Sequence, residues 1–275
     1  MNSEIKVDKK TKKNSQSRPL AVVTGASSGI GYELAKIFAK NNFDLLVVAE
    51  DASIAEAGNA FRQLGGMVET LQTNLAHFKG VDSLRDKIRS LGRPIDSIAI
   101  NAGVGVAGRF IDTTLQDELN LIQLNVASVV HLTKHVLKEM VDAGHGRILF
   151  TSSVAAEMPG PYYAVYAASK AFVQSFSEAI REEVKDTGVT VTALQPGATE
   201  TNFFARANMD DTKAGESKKT SAIEVAQAGF DAMMEGKDHV VVGLLNKIQV
   251  GVGKLASQAM GAKMQGSFTK PNDLK

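Results

Sequence analysis

The 275-residue chain contains no cysteine, which excludes disulfides, thiolate nucleophiles and Cys-ligated zinc. No run of some 18 apolar residues occurs, so no segment reads as a membrane span. The N-terminus lacks the apolar core of a secretory signal, and the cytoplasm is the expected compartment. Charge of one sign is also scarce, with a formal net charge of +1. Six of the bases crowd into residues 1–18 against two acids, leaving 25 bases and 28 acids, a net of −3, in the rest. A slightly acidic body does not neutralise phosphate, so nucleic acid is not an expected partner. Residues 1–17, rich in Lys, Ser, Asn and Gln, read as a disordered basic tail.

From Pro19 onward, short apolar runs alternate with amphipathic stretches. Strands are expected at Leu20–Thr24, Asp44–Ala49, Met67–Gln72, Ile95–Ile100, Gly146–Ser152, Val189–Leu194 and His239–Gly243. Helices are expected after Ile30 and over Ala52–Leu64, Val81–Leu91, Leu115–Asp142, Val165–Asp186, Ile223–Met234 and Leu245–Met260. Strands apolar throughout, each followed by a helix, fit a parallel sheet covered on both faces. Right-handed crossovers then give an α/β fold with a doubly wound parallel sheet, Rossmann-like. With no linker and no repeat, residues 18–275 are expected to form a single domain.

Between the first strand and first helix lies Thr24-Gly25-Ala26-Ser27-Ser28-Gly29-Ile30-Gly31. Glycines here allow positive φ and let a pyrophosphate approach backbone N–H groups at a helix N-terminus. The spacing is G-x-x-x-G-x-G rather than G-x-G-x-x-G. Gly25–Gly29 also fits the G-x-S-x-G elbow of α/β-hydrolases, which would make Ser27 a nucleophile. That reading needs a later acid and histidine; only five histidines exist, and only His239 ends a late strand.

Tyr166 and Lys170 stand four apart on an expected helix, hence on one face. A nearby ammonium favours phenolate, lowering a tyrosine pKa that begins near ~10, so Tyr166 is a candidate acid or base. Ser153 lies at the carboxyl end of a strand, where open α/β sheets bind ligands.

Taken in order, these motifs resemble the short-chain dehydrogenase/reductase family from about Arg18 to about Phe204. Thr24–Gly31 is similar to its cofactor loop, Asn101-Ala102-Gly103 to its N-A-G signature, and Asn125 to its active-site asparagine. Ser153, Tyr166 and Lys170 match the catalytic serine and Y-x-x-x-K, and Pro196-Gly197 with Thr199 and Thr201 resembles the loop beside the nicotinamide. The resemblance implies a dinucleotide-binding and catalytic domain, and an NAD(P)(H)-dependent oxidoreductase interconverting a carbonyl and an alcohol. Tyr166 would exchange the proton and Ser153 would hydrogen-bond the reacting oxygen. Lys170 would lower the tyrosine pKa and hold the ribose, while Asn125 would position a water linking Lys170 to solvent. Cofactor contacts would come from Gly25, Ser27, Ser28, Gly29, Ile30, Gly31, Glu50, Asn74, Leu75, Asn101, Ala102, Gly103, Tyr166, Lys170, Pro196, Gly197, Thr199 and Thr201.

Glu50 follows the second strand, where a carboxylate accepts from ribose hydroxyls and repels a 2′-phosphate, which favours NAD over NADP. Many relatives carry arginines there, and this chain departs from them. Asn74 stands where the family commonly has an aspartate contacting adenine.

The resemblance also implies a substrate lid over about 200–221, whose Phe203, Phe204 and Met209 would form an apolar wall. Pro159–Tyr163 would face the same cavity, and the substrate is expected to be a small hydrophobic carbonyl or alcohol. A helical segment over about 245–262 would cover the core or join subunits of a homodimer or homotetramer. His131 and His135 stand at i and i+4, but the residues between them lack the glutamate of H-E-x-x-H, so no metal is expected. Lys218-Lys219 reads as a solvated loop. A non-catalytic dinucleotide sensor is the remaining alternative; it would have no need of Ser153, Tyr166 and Lys170 together.

Overall fold

The computed structural model describes residues 18–243, 246, 250, 251 and 257–272. The tail expected over 1–17 and most of the helix expected to begin at Leu245 lie outside the described residues.

Strands β1 (Leu20–Thr24), β2 (Asp44–Ala49), β3 (Val68–Gln72), β4 (Ser97–Ile100), β5 (Gly146–Thr151) and β6 (Val189–Gln195) alternate with helices α1 (Gly29–Lys40), α2 (Ile54–Arg62), α3 (Phe78–Ser90), α4 (Leu115–Ile122), α5 (Ser128–Ala143) and α6 (Ala164–Val184). After β6 come two short strands, β7 (Thr199–Glu200) and β8 (Thr220–Ser221), with α7 (Phe203–Arg206) and α8 (Lys213–Glu216) between them. Helix α9 (Ala222–Met234), strand β9 (His239–Val241) and helix α10 (Gln258–Thr269) follow.

The main sheet is parallel throughout, in the order β3-β2-β1-β4-β5-β6-β9. Alternation within β1 divides the core. Ala21 and Val23 join the layer beneath α1 and α9, where Phe38 and Phe230 meet edge to face at 5.2 Å. Leu20 and Val22 join the layer beneath α3, α5 and α6. The strand order reverses between β1 and β4, which opens a crevice at their carboxyl ends. Among the described residues, no helix is long and apolar enough to cross a membrane.

Two helices differ from expectation. The single helix expected over Leu115–Asp142 is α4 and α5 joined by a π turn at Gln123–Ala127. Periodicity carries no trace of this turn, because its cause lies elsewhere in the chain: the Asn125 side chain bonds the main chain of Val104. A helix over Gln258–Thr269, for the most part beyond the expected segment, starts after its cap Ser257.

Candidate active site

Thr24 ends β1 and ties the crevice together. Its hydroxyl accepts from the N–H groups of Asn101 (2.9 Å) and Ala102 (3.1 Å), while Asn101 Nδ2 donates to Thr24 O at 3.1 Å. Thr151 Oγ1 donates to Asn101 Oδ1 at 3.2 Å, so three strand ends are cross-linked by one asparagine. Beside them the chain turns with Gly25 at φ +68° and Gly29 at φ +59°. Gly31 is required for a different reason: a Cβ there would stand 2.1 Å from Gly25 O. Ser28 caps α1 without a side-chain bond to the helix, so the amides of the first turn face the crevice. Glycine turn, free amides and helix dipole form a cradle suited to a diphosphate, and the residues present fit a dinucleotide.

A cavity of about 870 Å³ runs from this turn to the segment that carries α7 and α8. It is lined by every residue expected to contact cofactor except Gly31, which packs behind the turn, and by Ser153, Tyr166 and Lys170. No histidine lines it, and Ser27 donates to Asp51 at 2.8 Å, so the hydrolase elbow has no base at hand.

Ser153 follows β5, where its hydroxyl accepts from Ala155 N at 3.1 Å. Tyr166 and Lys170 project from α6, with Lys170 Nζ 5.8 Å from the centre of the Tyr166 ring. Lys170 is buried and donates to Thr151 O at 2.8 Å. Burial dominates both titrations. It pushes Tyr166 up to about 12, against a smaller downward pull from its hydrogen bond with Ser153, and it pulls Lys170 down to about 8. This runs against the expectation of a tyrosine acidified by its lysine: burial raises the phenol, and only the Ser153 hydrogen bond opposes it.

Asn125, buried in the π turn, does not line the cavity. Its amide donates to Val104 O (2.9 Å) and Ser169 Oγ (3.2 Å), and its Oδ1 accepts from Val104 N at 3.0 Å. It thereby fixes the loop following Gly103, whose backbone runs close to Lys170 Nζ. Glu50 and Asn74 stand at the outer end of the cavity, and Asn74 Oδ1 accepts from Ala76 N at 2.8 Å.

The roof comes from remote segments. Phe203 packs against Tyr166 at 5.2 Å between ring centres, and Phe204 and Met209 line the wall with it. Of Pro159–Tyr163, only Tyr163 lines the cavity, stacked on Tyr166 at 5.8 Å. Three contributors were not legible in the sequence. Arg206, on α7, reaches the glycine turn with Nη2 donating to Ser28 Oγ at 3.2 Å. Gln265 and Phe268, on α10, line the far wall, and Gln265 donates to the Tyr163 hydroxyl. Lys218 and Lys219, expected in a solvated loop, also line the cavity, with Lys219 Nζ 4.9 Å from the Phe204 ring centre. No local motif marks these positions.

Residues 19–212 match the short chain dehydrogenase family. The chain is 33% identical over 196 residues to the 3-oxoacyl-[acyl-carrier-protein] reductase FabG of Escherichia coli (strain K12), covering 71% of this chain and 79% of that protein. Its fold is similar to a short-chain dehydrogenase from Sphingobium yanoikuyae in complex with NADPH, with 28% identity and a TM-score of 0.77 over 90% of this chain and 99% of that one. It also resembles a short chain dehydrogenase/reductase from Burkholderia phymatum in complex with NAD, with 23% identity and a TM-score of 0.78 over 86% and 92% of the two chains. Ordered motifs, sheet topology and these likenesses agree: the chain belongs to the short-chain dehydrogenase/reductase family of oxidoreductases.

Proposed function

We propose that this protein interconverts a hydrophobic carbonyl compound and its alcohol with NAD(H), Tyr166 exchanging the proton. The observation that carries this reading is the meeting of Ser153, Tyr166 and Lys170 in the same cavity as the glycine cradle. The nicotinamide cofactor, when bound, supplies or accepts the hydride. The chain supplies the rest. Tyr166, held as a neutral phenol by burial, donates its proton to the carbonyl oxygen during reduction and recovers it during oxidation. Ser153 hydrogen-bonds the same oxygen and stabilises charge developing there. Lys170 keeps a cation within reach of the ring and offers its ammonium to ribose hydroxyls. Asn125 holds the neighbouring backbone in place and positions a water leading from Lys170.

Tyr163, Phe203, Phe204, Met209 and Phe268 make the wall beyond Tyr166 mainly apolar, which suits a hydrophobic substrate. The segment over about 200–221 acts as the lid. Leu115, Leu119, Ile122, Val130 and Phe172 are exposed on α4, α5 and α6, and this apolar surface supports a homodimer or homotetramer.

Replacing Tyr166 with Phe tests the reading. Turnover, followed by the absorbance of reduced nicotinamide over a panel of ketones and alcohols, should fall by ~10²–10⁴-fold, with NADH affinity retained. Turnover equal to wild type would remove Tyr166 from the chemistry.

Glu50 and Asp51 at the outer end of the cavity support NAD(H), because their carboxylates accept from ribose hydroxyls and repel an added phosphate. An NADP(H) reading draws on Arg206, Lys218 and Lys219 lining the same cavity. The two are separated by titration with both reduced cofactors. NADH should bind more tightly, and Glu50→Ala should narrow the preference about tenfold, or ~1.4 kcal/mol. Tighter NADPH binding by the wild type would reverse the assignment.

A further inference from the structure

Away from the cavity, α3 and α5 pack side by side and bring three metal-ligating groups together. Asp82 projects from α3, and His131 and His135 from α5; each offers one ligand atom, and these atoms lie within 4.8 Å of one another. The two histidines share a helix face, with ring centres 4.9 Å apart. His131 Nε2 stands 3.5 Å from Asp82 Oδ1. Bonds of ~2.0–2.2 Å at tetrahedral angles place two ligand atoms about that far apart. His135 Nε2 is buried and has no hydrogen-bond partner, an arrangement that is costly for an imidazole nitrogen unless something ligates it. The Phe78 ring lies against His131 at 4.8 Å and restricts how that imidazole can turn.

We propose that Asp82, His131 and His135 bind one divalent transition-metal ion of the zinc type, tying α3 to α5. Two imidazoles and a carboxylate form a borderline donor set that suits Zn²⁺, Co²⁺, Ni²⁺ or Cu²⁺ better than the all-oxygen preference of Ca²⁺ or Mg²⁺. Water completes the coordination. Arg85 now pairs with Asp82 Oδ1 at 3.1 Å, but it also holds Asp86 Oδ1 at 3.0 Å and keeps that partner when the ion takes Asp82. None of the three ligands lines the catalytic cavity, so the ion joins two helices and takes no part in hydride transfer. No glutamate stands between the two histidines, so the H-E-x-x-H pattern is absent. The third ligand comes from another helix, and spacing along α5 could not reveal it.

The test uses untagged full-length protein titrated with Zn²⁺ by calorimetry and with Co²⁺ by visible spectroscopy. One Zn²⁺ per chain is expected, with a Co²⁺ spectrum of four-coordinate nitrogen and oxygen ligation and a higher melting temperature when Zn²⁺ is present. His135→Ala should weaken Zn²⁺ binding at least about tenfold, and Asp82→Asn by a smaller factor in the same direction. Should His135→Ala lose its far-ultraviolet circular dichroism, His135→Asn, closer in size, decides instead. Failure of the wild type to bind Zn²⁺ overturns the proposal. So does equal affinity in the wild type and a His131→Ala/His135→Ala double variant, which would point to the cluster of Glu178, Asp238 and His239 as the holder.

Discussion

On the floor of the cavity, Gly25, Gly29 and Gly31 shape the turn through main-chain geometry, and Thr24 and Asn101 lock it to the neighbouring strands. The roof is held by side chains meeting from distant parts of the chain. Gln265 bonds Tyr163, Thr269 Oγ1 donates to Pro161 O at 2.8 Å, and Asn272 Nδ2 donates to Glu216 at 2.9 Å. A floor made of backbone suits the part of the ligand that every member of such a family shares, since amides recognise a diphosphate whatever else is attached. A roof made of side chains can change with single substitutions, and it surrounds the reacting end. Cofactor binding and substrate choice are therefore expected to respond to different mutations.

The largest separation should come from Gly31→Ala. Its new methyl would stand 2.1 Å from Gly25 O, backbone that cannot move aside without dismantling the turn. Cofactor affinity should fall ~100-fold or more, equivalent to ~2.7 kcal/mol, as read by NADH fluorescence titration. Unchanged affinity would mean the floor is not held by this contact.

A smaller effect concerns the charge at the junction of floor and roof. Lys170, at about 8, sits below the ordinary lysine value, so from about pH 8 to 10 the unfolded chain binds a proton that the folded one has released. Stability should rise with pH across that window, at no more than ~1.4 kcal/mol per unit. Tyr166, raised to about 12, opposes the rise only above its ordinary value near ~10. Lys170→Met should abolish the rise and be the more stable protein at neutral pH. Urea denaturation of both proteins at pH 7.5 and 9.5 measures the difference, and parallel behaviour would place the ammonium in water.

The smallest effect belongs to the roof alone. Gln265→Ala removes the amide that holds the Tyr163 hydroxyl and should raise KM for a hydrophobic ketone several-fold, or ~1 kcal/mol. The Kd for NADH should stay as it was. If both constants shift together, floor and roof are one unit and the comparison fails.

The floor was readable because its determinants are local. Glycines at Gly25, Gly29 and Gly31 lie within one turn, Tyr166 and Lys170 within one helical turn, and the strand-helix alternation needs only nearest neighbours along the chain. Asn125 was identified by its place in an ordered set of motifs, yet its actual bonds to Val104 and the π turn around it were not readable. Periodicity gives a continuous helix there, and only contact with the loop after β4 accompanies its break. Arg206, Gln265 and Phe268 carry no local signature, and neither did the direction of the Tyr166 shift. Lysine four residues away argues for a lower pKa; only the packed surroundings show that lost hydration raises it.

By itself, then, the order of residues determined the parallel sheet, the glycine turn after β1 and the spacing of Tyr166 and Lys170, because each depends on backbone preferences and short-range spacing. Only the tertiary structure decided what roofs the cavity, which way its buried groups titrate, and that Asp82 meets His131 and His135. Those properties depend on which surfaces exclude water and which side chains meet across many intervening residues, and neither is written in any one segment of the chain.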